Sequence, residues 1–200
     1  MISYIEGLLT EKNPAYSIIE CGGIGYLLNI SLNTYSTLPD VGQKCRLFTH
    51  LVIKSEVTTP VGLLLFGFAT DQEREVFINL VSVSGVGNNT ARLILSSLTT
   101  EEVISAIVTN RVDIFQKVKG IGAKTAQKLI LDLKDKFEKR ISGSELLIPS
   151  YNKNKEEALT ALVILGFQRN NAEKALDKVL KAQPVGLSVE QLIKSTLQIL

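Results

Sequence analysis

The sequence contains one short motif twice, and this repeat restricts the fold more than any other feature. Gly85-Val86-Gly87 and Gly120-Ile121-Gly122 lie 35 residues apart, and each is followed by Thr-Ala-x-x and then Ile or Leu. Glycine allows a tight backbone turn between two short helices, while the Val or Ile between the glycines fills the core. The repeat therefore predicts two consecutive helix-hairpin-helix units.

Each hairpin has the chemistry to hold a phosphate. The glycines carry no side chain, so backbone amides can approach an anion closely, and the following helix offers its N–H groups and the positive end of its dipole. Such contacts read no base edge, which predicts sequence-independent DNA binding. The candidate DNA-binding residues are Gly85, Val86, Gly87, Asn88 and Asn89 in the first hairpin, and Gly120, Ile121, Gly122, Ala123, Lys124 and Lys128 in the second.

The charge distribution favours the same ligand. The whole chain has a net charge of only +2, and residues 1–68 have a net charge of −1, but residues 117–140 have a net charge of +5. Lysines on a solvated helix face would explain this strip if it stood alone. Beside two phosphate-binding hairpins, the strip indicates a polyanion as the partner.

The second hairpin resembles a nucleotide-binding P-loop only superficially, and no nucleotide site is predicted there. A P-loop requires a glycine directly before its lysine, an earlier glycine at a fixed distance and a preceding strand. Here Ala123 stands directly before Lys124, Val118 stands where the earlier glycine belongs, and helical sequence precedes the motif. We therefore expect no ATP site and no cofactor.

The composition also argues against a catalytic or metal centre. His50 is the only histidine, and Cys21 and Cys45 are the only cysteines. A Ser-His-Asp site is possible only at His50, a His/Cys zinc site is implausible, and all three residues are expected to be structural. There is no apolar stretch long enough for a membrane span and no secretory signal, so we expect no membrane partner and a cytoplasmic protein.

Residues 1–68 have the pattern of a small β-barrel. Short runs rich in β-branched and aromatic residues alternate with turn-forming Asn-Pro, Gly-Gly, Pro-Asp and Pro positions. The predicted strands are 2–9, 16–21, 26–30, 45–53 and 63–68. Five strands in so short a segment predict an OB-like barrel, a fold that often binds nucleic acid.

Residues 69–140 change to a helical period and form the predicted tandem helix-hairpin-helix domain. Asp71 and Asp113 are placed to cap helices, and Thr99 with Glu102 forms a capping box. The last helix of this segment carries one apolar stripe, formed by Ala126, Leu129, Ile130, Leu133 and Phe137. This stripe is expected to be buried, leaving the lysines of the helix in water.

The remaining sequence predicts a linker and a small helical module. Residues 141–153 carry turn formers without a sustained helical period, and residues 154–200 show three short amphipathic helices, the last capped by Ser188 with Gln191. The stretch Leu162-Val163-Ile164-Leu165-Gly166-Phe167 is similar to the docking loop of ubiquitin-associated domains, although such residues can also simply fill a core, as we expect for Leu159. The fold class predicted for the chain is α+β multidomain.

Taken in order, these segments resemble the RuvA family, the DNA-binding subunits of bacterial Holliday junction branch migration complexes. The resemblance covers nearly the whole chain. Besides the two hairpins, it rests on Met1-Ile2 with Gly7, Gly22-Gly23-Ile24-Gly25-Tyr26, Phe48-Thr49-His50, Leu65-Phe66-Gly67-Phe68 and the stretch Ala161-Leu162-Val163-Ile164-Leu165-Gly166-Phe167.

The family resemblance implies a non-catalytic scaffold for recombination, DNA repair and the SOS response to DNA damage. A homotetramer, or two tetramers, would hold a four-way junction open and flat. ATP hydrolysis would reside in the hexameric partner RuvB, and the resolvase RuvC would be a further partner. The positions matching the family's RuvB-docking face are Leu162, Leu165, Phe167 and Leu197.

The chain departs from the family pattern at three places. Asn89 and Ala123 stand where the family usually carries lysine. Lys124 and Lys128 are therefore the side chains expected to supply positive charge to the phosphates. The family's acidic pin, a pair of carboxylates at the junction centre, corresponds to Ser55 and Glu56, so one acid is retained. The sequence also predicts an extended barrel turn after Glu56, through residues 58–62.

A nuclease or glycosylase and a protein-binding adaptor are the alternatives to a DNA-binding scaffold. A structure-specific nuclease or glycosylase with helix-hairpin-helix elements would need clustered carboxylates for metal, or a lysine and an aspartate beside the hairpin. The acids here are scattered along helix surfaces. An adaptor that binds only proteins would leave the duplicated hairpins unexplained.

Overall fold

The computed structural model describes residues 2–56, 59–145, 150–182 and 187–200; the side chains of 54–61, 139–153 and 182 lie outside this description. The chain forms two compact units, Met1–Lys139 and Arg140–Leu200. The first unit contains a β-barrel followed by short helices. The second unit is helical.

The barrel is closed and five-stranded, as the sequence predicts. Its strands are β1 (Tyr4–Asn13), β2 (Tyr16–Cys21), β3 (Ile24–Asn29), β4 (Lys44–Glu56) and β5 (Thr59–Phe68). They close in the order β1-β2-β3-β5-β4, with a parallel pairing between β3 and β5 and antiparallel pairings elsewhere. Alternate side chains point inward and form a core of Ile5, Leu9, Ile19, Leu28, Ile30, Leu38 and Leu47.

Several strand limits differ from the prediction. β1 begins at Tyr4 and continues to Asn13, and β4 and β5 extend towards each other to Glu56 and Thr59. The prediction of an extended turn after Glu56 is therefore wrong for residues 59–62, which belong to β5 and pair with β4. Pro60 was predicted to bound a strand but lies near the start of β5, where proline is tolerated because little of the ladder depends on its missing N–H. A polar helix, α1 (Leu32–Thr37), was not predicted, because its sequence lacks an apolar period.

Five helices follow the barrel: α2 (Asp71–Val81), α3 (Asn88–Ser97), α4 (Thr100–Val108), α5 (Val112–Gln116) and α6 (Ala123–Glu145). The first unit contains the first four and α6 as far as Lys139. Phe66 and Phe68 at the end of β5 belong to the same buried cluster as the inner faces of these helices. The predicted stripe of α6 is buried in that cluster. The end of β5 therefore packs into the core of the helices, while the inside of the barrel has a core of its own.

In the first unit, two predicted helix caps are wrong and one is confirmed. Thr70, not Asp71, caps α2, because its extended backbone lets its hydroxyl accept from the Glu73 amide. Arg111 is the N-cap residue of α5, and the Asp113 carboxylate instead accepts two hydrogen bonds of 2.9 Å from the Arg111 guanidinium. The capping box of Thr99 and Glu102 is present.

The second unit contains α7 (Ser150–Ile164), α8 (Arg169–Ala182) and α9 (Val189–Leu197), which pack around a small apolar core. The predicted capping box of Ser188 and Gln191 begins α9. Helical backbone extends into the segment predicted as a linker, since α6 ends at Glu145 and α7 begins at Ser150. Residues 146–149 lie outside the described residues.

Candidate nucleic-acid interface

The two hairpins have the same backbone structure, residue for residue. In the first, the Val86 amide donates to the Val83 carbonyl at 3.0 Å and the Ala91 amide to the Gly87 carbonyl at 2.9 Å. In the second, the Ile121 amide donates to Val118 at 3.1 Å and Ala126 to Gly122 at 3.0 Å. Every donor and acceptor is displaced by 35 residues, so the sequence repeat is also a structural repeat.

The first glycine of each hairpin is required by its backbone. Gly85 has a φ of +94° and Gly120 a φ of +91°, in the left-handed region that other residues rarely adopt. A Cβ atom added at Gly85, Gly87, Gly120 or Gly122 would meet no atom within 4 Å. Internal packing therefore does not demand these glycines, and the space beside them is open to a ligand.

The residue between the glycines faces the other way. Val86 and Ile121 are buried in the core of the unit, as the sequence predicts. Their side chains cannot contact DNA, and only their backbone lies in the turn. Gly87 and Gly122 are exposed, as are Asn89, Ala123, Lys124 and Lys128, while Asn88 is half-buried.

Each hairpin leads directly into a helix long enough to have a defined N-terminus. α3 begins at Asn88 after the N-cap residue Gly87, which has no side chain to cap the helix, and α6 begins at Ala123. The first N–H groups of a helix have no partner within the helix. Both turns therefore present backbone donors at an open surface, which is the arrangement a phosphate oxygen requires.

A buried carboxylate that the sequence analysis missed attaches the barrel to the helices. Glu73 on α2 is 4% exposed and accepts hydrogen bonds from Ser31 Oγ at 2.5 Å and Thr34 Oγ1 at 2.7 Å, both on the barrel side. The Ala69 amide donates to the same carboxylate at 3.2 Å. The pattern Thr70-x-x-Glu73 could have drawn attention to Glu73, but only as a helix start.

The first hairpin's helix α3 is also held against the barrel side. Asn33 Nδ2 donates to the Leu95 and Leu98 carbonyls at 2.7 and 2.8 Å, and the Leu32 amide donates to Ser96 Oγ at 3.1 Å. Arg92 Nη1 donates to the Ala15 carbonyl at 3.0 Å. The position of the first hairpin is therefore determined by hydrogen bonds to α1 and to the turn after β1.

The single histidine packs as part of this unit. The His50 ring lies edge-on to Phe77, with ring centroids 5.8 Å apart. Burial, and then the nearby positive charge of Arg74, lower the pKa of His50 from its ordinary value. Cys21 and Cys45 are free thiols. Among the described residues there is no cluster of His, Cys, Asp or Glu suited to a metal ion.

The acidic-pin residues fall outside the region whose side chains are described. Glu56 is the last residue of β4, and its backbone pairs with Thr59 beyond an irregularity after Lys54. The side chains of Ser55 and Glu56 lie outside the described residues. The assignment of Glu56 as a pin therefore stays a prediction.

The predicted docking residues of the second unit divide between its surface and its core. Leu165 is 61% exposed, Leu197 is exposed and Phe167 is half-buried. Leu162 is fully buried, because it faces α8 and α9 from within α7. Val163 and Ile164 are exposed beside Leu165. The exposed apolar surface therefore includes these two residues, which were not in the predicted set, and lacks Leu162, which was.

Nothing in the described helices has the length and apolar character of a membrane span.

Comparison with known proteins matches almost every part of the chain. Family models match residues 1–60 (RuvA N terminal domain), 77–135 (SAM-like helix-hairpin-helix tandem) and 153–200 (RuvA, C-terminal domain). Curated proteins named "Holliday junction branch migration complex subunit RuvA" are similar over 99% of both chains. They include proteins from Christiangramia forsetii, Flavobacterium psychrophilum and Bacteroides fragilis, which are 50%, 45% and 42% identical.

Proposed function

This chain belongs to the RuvA family, and from that premise we propose that it is the DNA-binding subunit of a Holliday junction branch migration complex. It acts as a non-catalytic scaffold that binds four-way junction DNA without reading its sequence. The alternative of a nuclease or glycosylase is not favoured by any of the relatives.

The observation that carries this function is the duplicated hairpin with two open turns. Each turn places backbone donors at an exposed helix N-terminus, beside glycines around which a Cβ atom would meet nothing. Two such sites on one rigid unit suit contacts with successive phosphates along a strand. Because phosphates are common to all sequences, the unit suits a structure that must be bound wherever it forms.

We extend the proposal to the assembly. The protein forms a homotetramer on the junction, alone or facing a second tetramer, and works with the RuvB ATPase and the RuvC resolvase in the cytoplasm during recombination and the response to DNA damage. Residues 1–68 serve as the barrel domain, 69–140 as the DNA-binding domain, 141–153 as the linker and 154–200 as the RuvB-docking domain. The exposed apolar side chains of that last segment support the docking role, while Leu162 lies in the core of the segment.

One experiment separates the three classes of function. The purified protein is incubated with a labelled four-way junction and with linear duplex of the same sequence, with and without magnesium. The scaffold predicts binding that prefers the junction, is independent of the arm sequence and leaves the DNA intact. Cleavage or base excision would indicate an enzyme, and absence of DNA binding would indicate a protein adaptor.

A further inference from the structure

The two hairpins have the same backbone but differ in charge at four equivalent exposed positions. The second carries Lys117, Lys119, Lys124 and Lys128, all exposed. The residues 35 positions earlier are uncharged and also exposed: Ser82, Ser84, Asn89 and Leu93. The repeat thus pairs one cationic hairpin with one neutral hairpin on the same unit.

The lysines of the second hairpin are available to an external anion. None of the carboxylates in the described part of the chain forms an ion pair with these four side chains. The nearest acid before them in sequence, Asp113, is hydrogen-bonded to Arg111, and this bond, with a smaller contribution from the charge of Lys117, lowers the pKa of the Asp113 carboxyl to about 2. Lys124 and Lys128 are one helical turn apart on α6, so they share a face.

Arg92, the cation of the first hairpin, is used inside the protein. Its Nη1 atom donates to the Ala15 carbonyl at 3.0 Å and lies 3.5 Å from Asn29 Oδ1, both on the barrel. At the equivalent position the second hairpin has Gln127, which is exposed. Arg92 thus connects α3 to the barrel instead of presenting its charge at the turn.

We propose that the two hairpins divide the work of binding, with the second supplying the salt-dependent attraction to phosphate and the first a neutral backbone contact. Arg92 is a positioning residue that holds this neutral contact in a fixed place relative to the barrel. The proposal rests on the proposed function, since it names how one DNA-binding unit distributes its contacts.

A neutral contact can make binding selective for a junction over linear duplex. Lysine attraction acts over about a Debye length and on any phosphate, so it adds affinity for linear duplex as well as for the junction. A backbone amide acts only at hydrogen-bond distance. The first hairpin is uncharged and fixed on the barrel. It therefore adds affinity only for DNA whose backbone lies within hydrogen-bond distance of this turn.

The test exchanges residues between equivalent positions of the full-length protein. Lys124→Asn and Lys128→Leu give the second hairpin the residues of the first, and Asn89→Lys does the reverse. Affinity for a labelled four-way junction is measured over a series of KCl concentrations. In Lys124→Asn and Lys128→Leu the log–log slope should flatten by about 0.9 for each phosphate that a lysine no longer neutralises, and in Asn89→Lys it should steepen.

Arg92→Gln and Arg92→Lys test the positioning role, with thermal melting as the control for folding. Both variants should keep the parent's salt slope but bind the junction several-fold less tightly relative to linear duplex. A merely stabilising role would leave that ratio unchanged in the folded protein. Gln127→Ala, at the equivalent exposed position, should leave both quantities unchanged.

The outcomes separate this inference from the proposed function. If the parent protein does not prefer the junction, the proposed function fails. If the parent prefers the junction but Arg92→Gln flattens the slope as Lys124→Asn does, Arg92 contacts phosphate and the division of work is wrong. Unchanged slopes in Lys124→Asn and Lys128→Leu, or in Asn89→Lys, would also overturn it.

Discussion

Glu73 on α2 accepts a hydrogen bond of 2.5 Å from Ser31 Oγ, the residue that caps α1 on the barrel side. The same carboxylate accepts from Thr34 Oγ1 and from the Ala69 amide. A buried carboxylate is tolerated only when donors replace the water it has lost. Here three donors do so, and they join the barrel to the helices that carry both hairpins.

Replacing Glu73 with alanine should therefore destabilise the first unit strongly. The change removes the acceptor of the Ser31 and Thr34 hydroxyls, while the Ala69 amide keeps Thr34 Oγ1 as an acceptor. We expect a loss of about 3 kcal/mol in the free energy of unfolding. Urea denaturation measures this loss. The matched control is Glu20→Ala, an exposed acid on β2, which should change stability by less than about 0.5 kcal/mol. Equal effects would contradict the role of Glu73.

Adding a small side chain at the second glycine of each hairpin should weaken DNA binding without unfolding the protein. Gly87 has an ordinary φ of −83° and is the N-cap residue of α3, where serine is favoured over glycine. Gly87→Ser and Gly122→Ser should keep the melting temperature but reduce junction affinity about tenfold, because a Cβ atom keeps the phosphate from the amides.

The effect of these serine variants should be the same for every arm sequence. Gly85→Val and Gly120→Val serve as a contrast, since a positive φ makes them lose stability as well as affinity. Junction binding that is unaffected in Gly87→Ser and Gly122→Ser would show that the DNA does not approach these turns.

An acid on the apolar surface of the second unit should separate DNA binding from motor recruitment. Leu165→Asp places a charge where a 61% exposed leucine now lies, so docking of RuvB should be lost while junction affinity stays within a few-fold. Asn170→Asp adds the same charge at an exposed polar position of this unit and should leave both unchanged. The readouts are RuvB-driven branch migration and junction binding.

Deletion of residues 153–200 should give the same result as Leu165→Asp. Branch migration that survives this deletion would refute the docking assignment.

The charge at the end of β4 should tune selectivity for the junction. Carboxylates near the junction centre repel phosphates that stray inward, and this penalises continuous duplex. Glu56→Gln should therefore bind linear duplex relatively better, and Ser55→Asp relatively worse, at fixed salt. With one acid per chain instead of two, the parent should lie between them. The same junction-to-duplex ratio in all three proteins would eliminate the pin.

The single histidine makes one pH effect measurable. Burial and the Arg74 charge lower the pKa of His50 below its ordinary 6.5. Below pH 6.5 the unfolded chain takes up a proton before the folded protein does, so the stability contributed by neutral His50 is complete above 6.5 and declines as the pH falls towards the folded pKa. NMR titration of the imidazole should give a midpoint below 6.5, and a midpoint at or above 6.5 would contradict the assignment.

The sequence alone determined the architecture and the two glycine turns, because both depend on local chemistry. A left-handed turn needs glycine, so Gly85 and Gly120 could be recognised from the sequence, as could the buried stripe of α6 from its period. The capping box at Thr99 was visible for the same reason. Each of these features is set by residues within a few positions of one another.

Only the tertiary structure determined which distant residues contact one another. Thr and Asp are both favoured at the N-cap position, and the extended backbone of Thr70 makes Thr70 the N-cap residue of α2. Leu162 and Leu165 belong to one apolar run, yet packing against α8 and α9 buries the first and leaves the second exposed. The contacts of Glu73 with Ser31 and of Arg92 with Ala15 could not be predicted from the sequence, because these partners lie 42 and 77 residues away. A periodic pattern records neighbours along the chain, whereas these contacts exist only once the barrel and the helices have packed together.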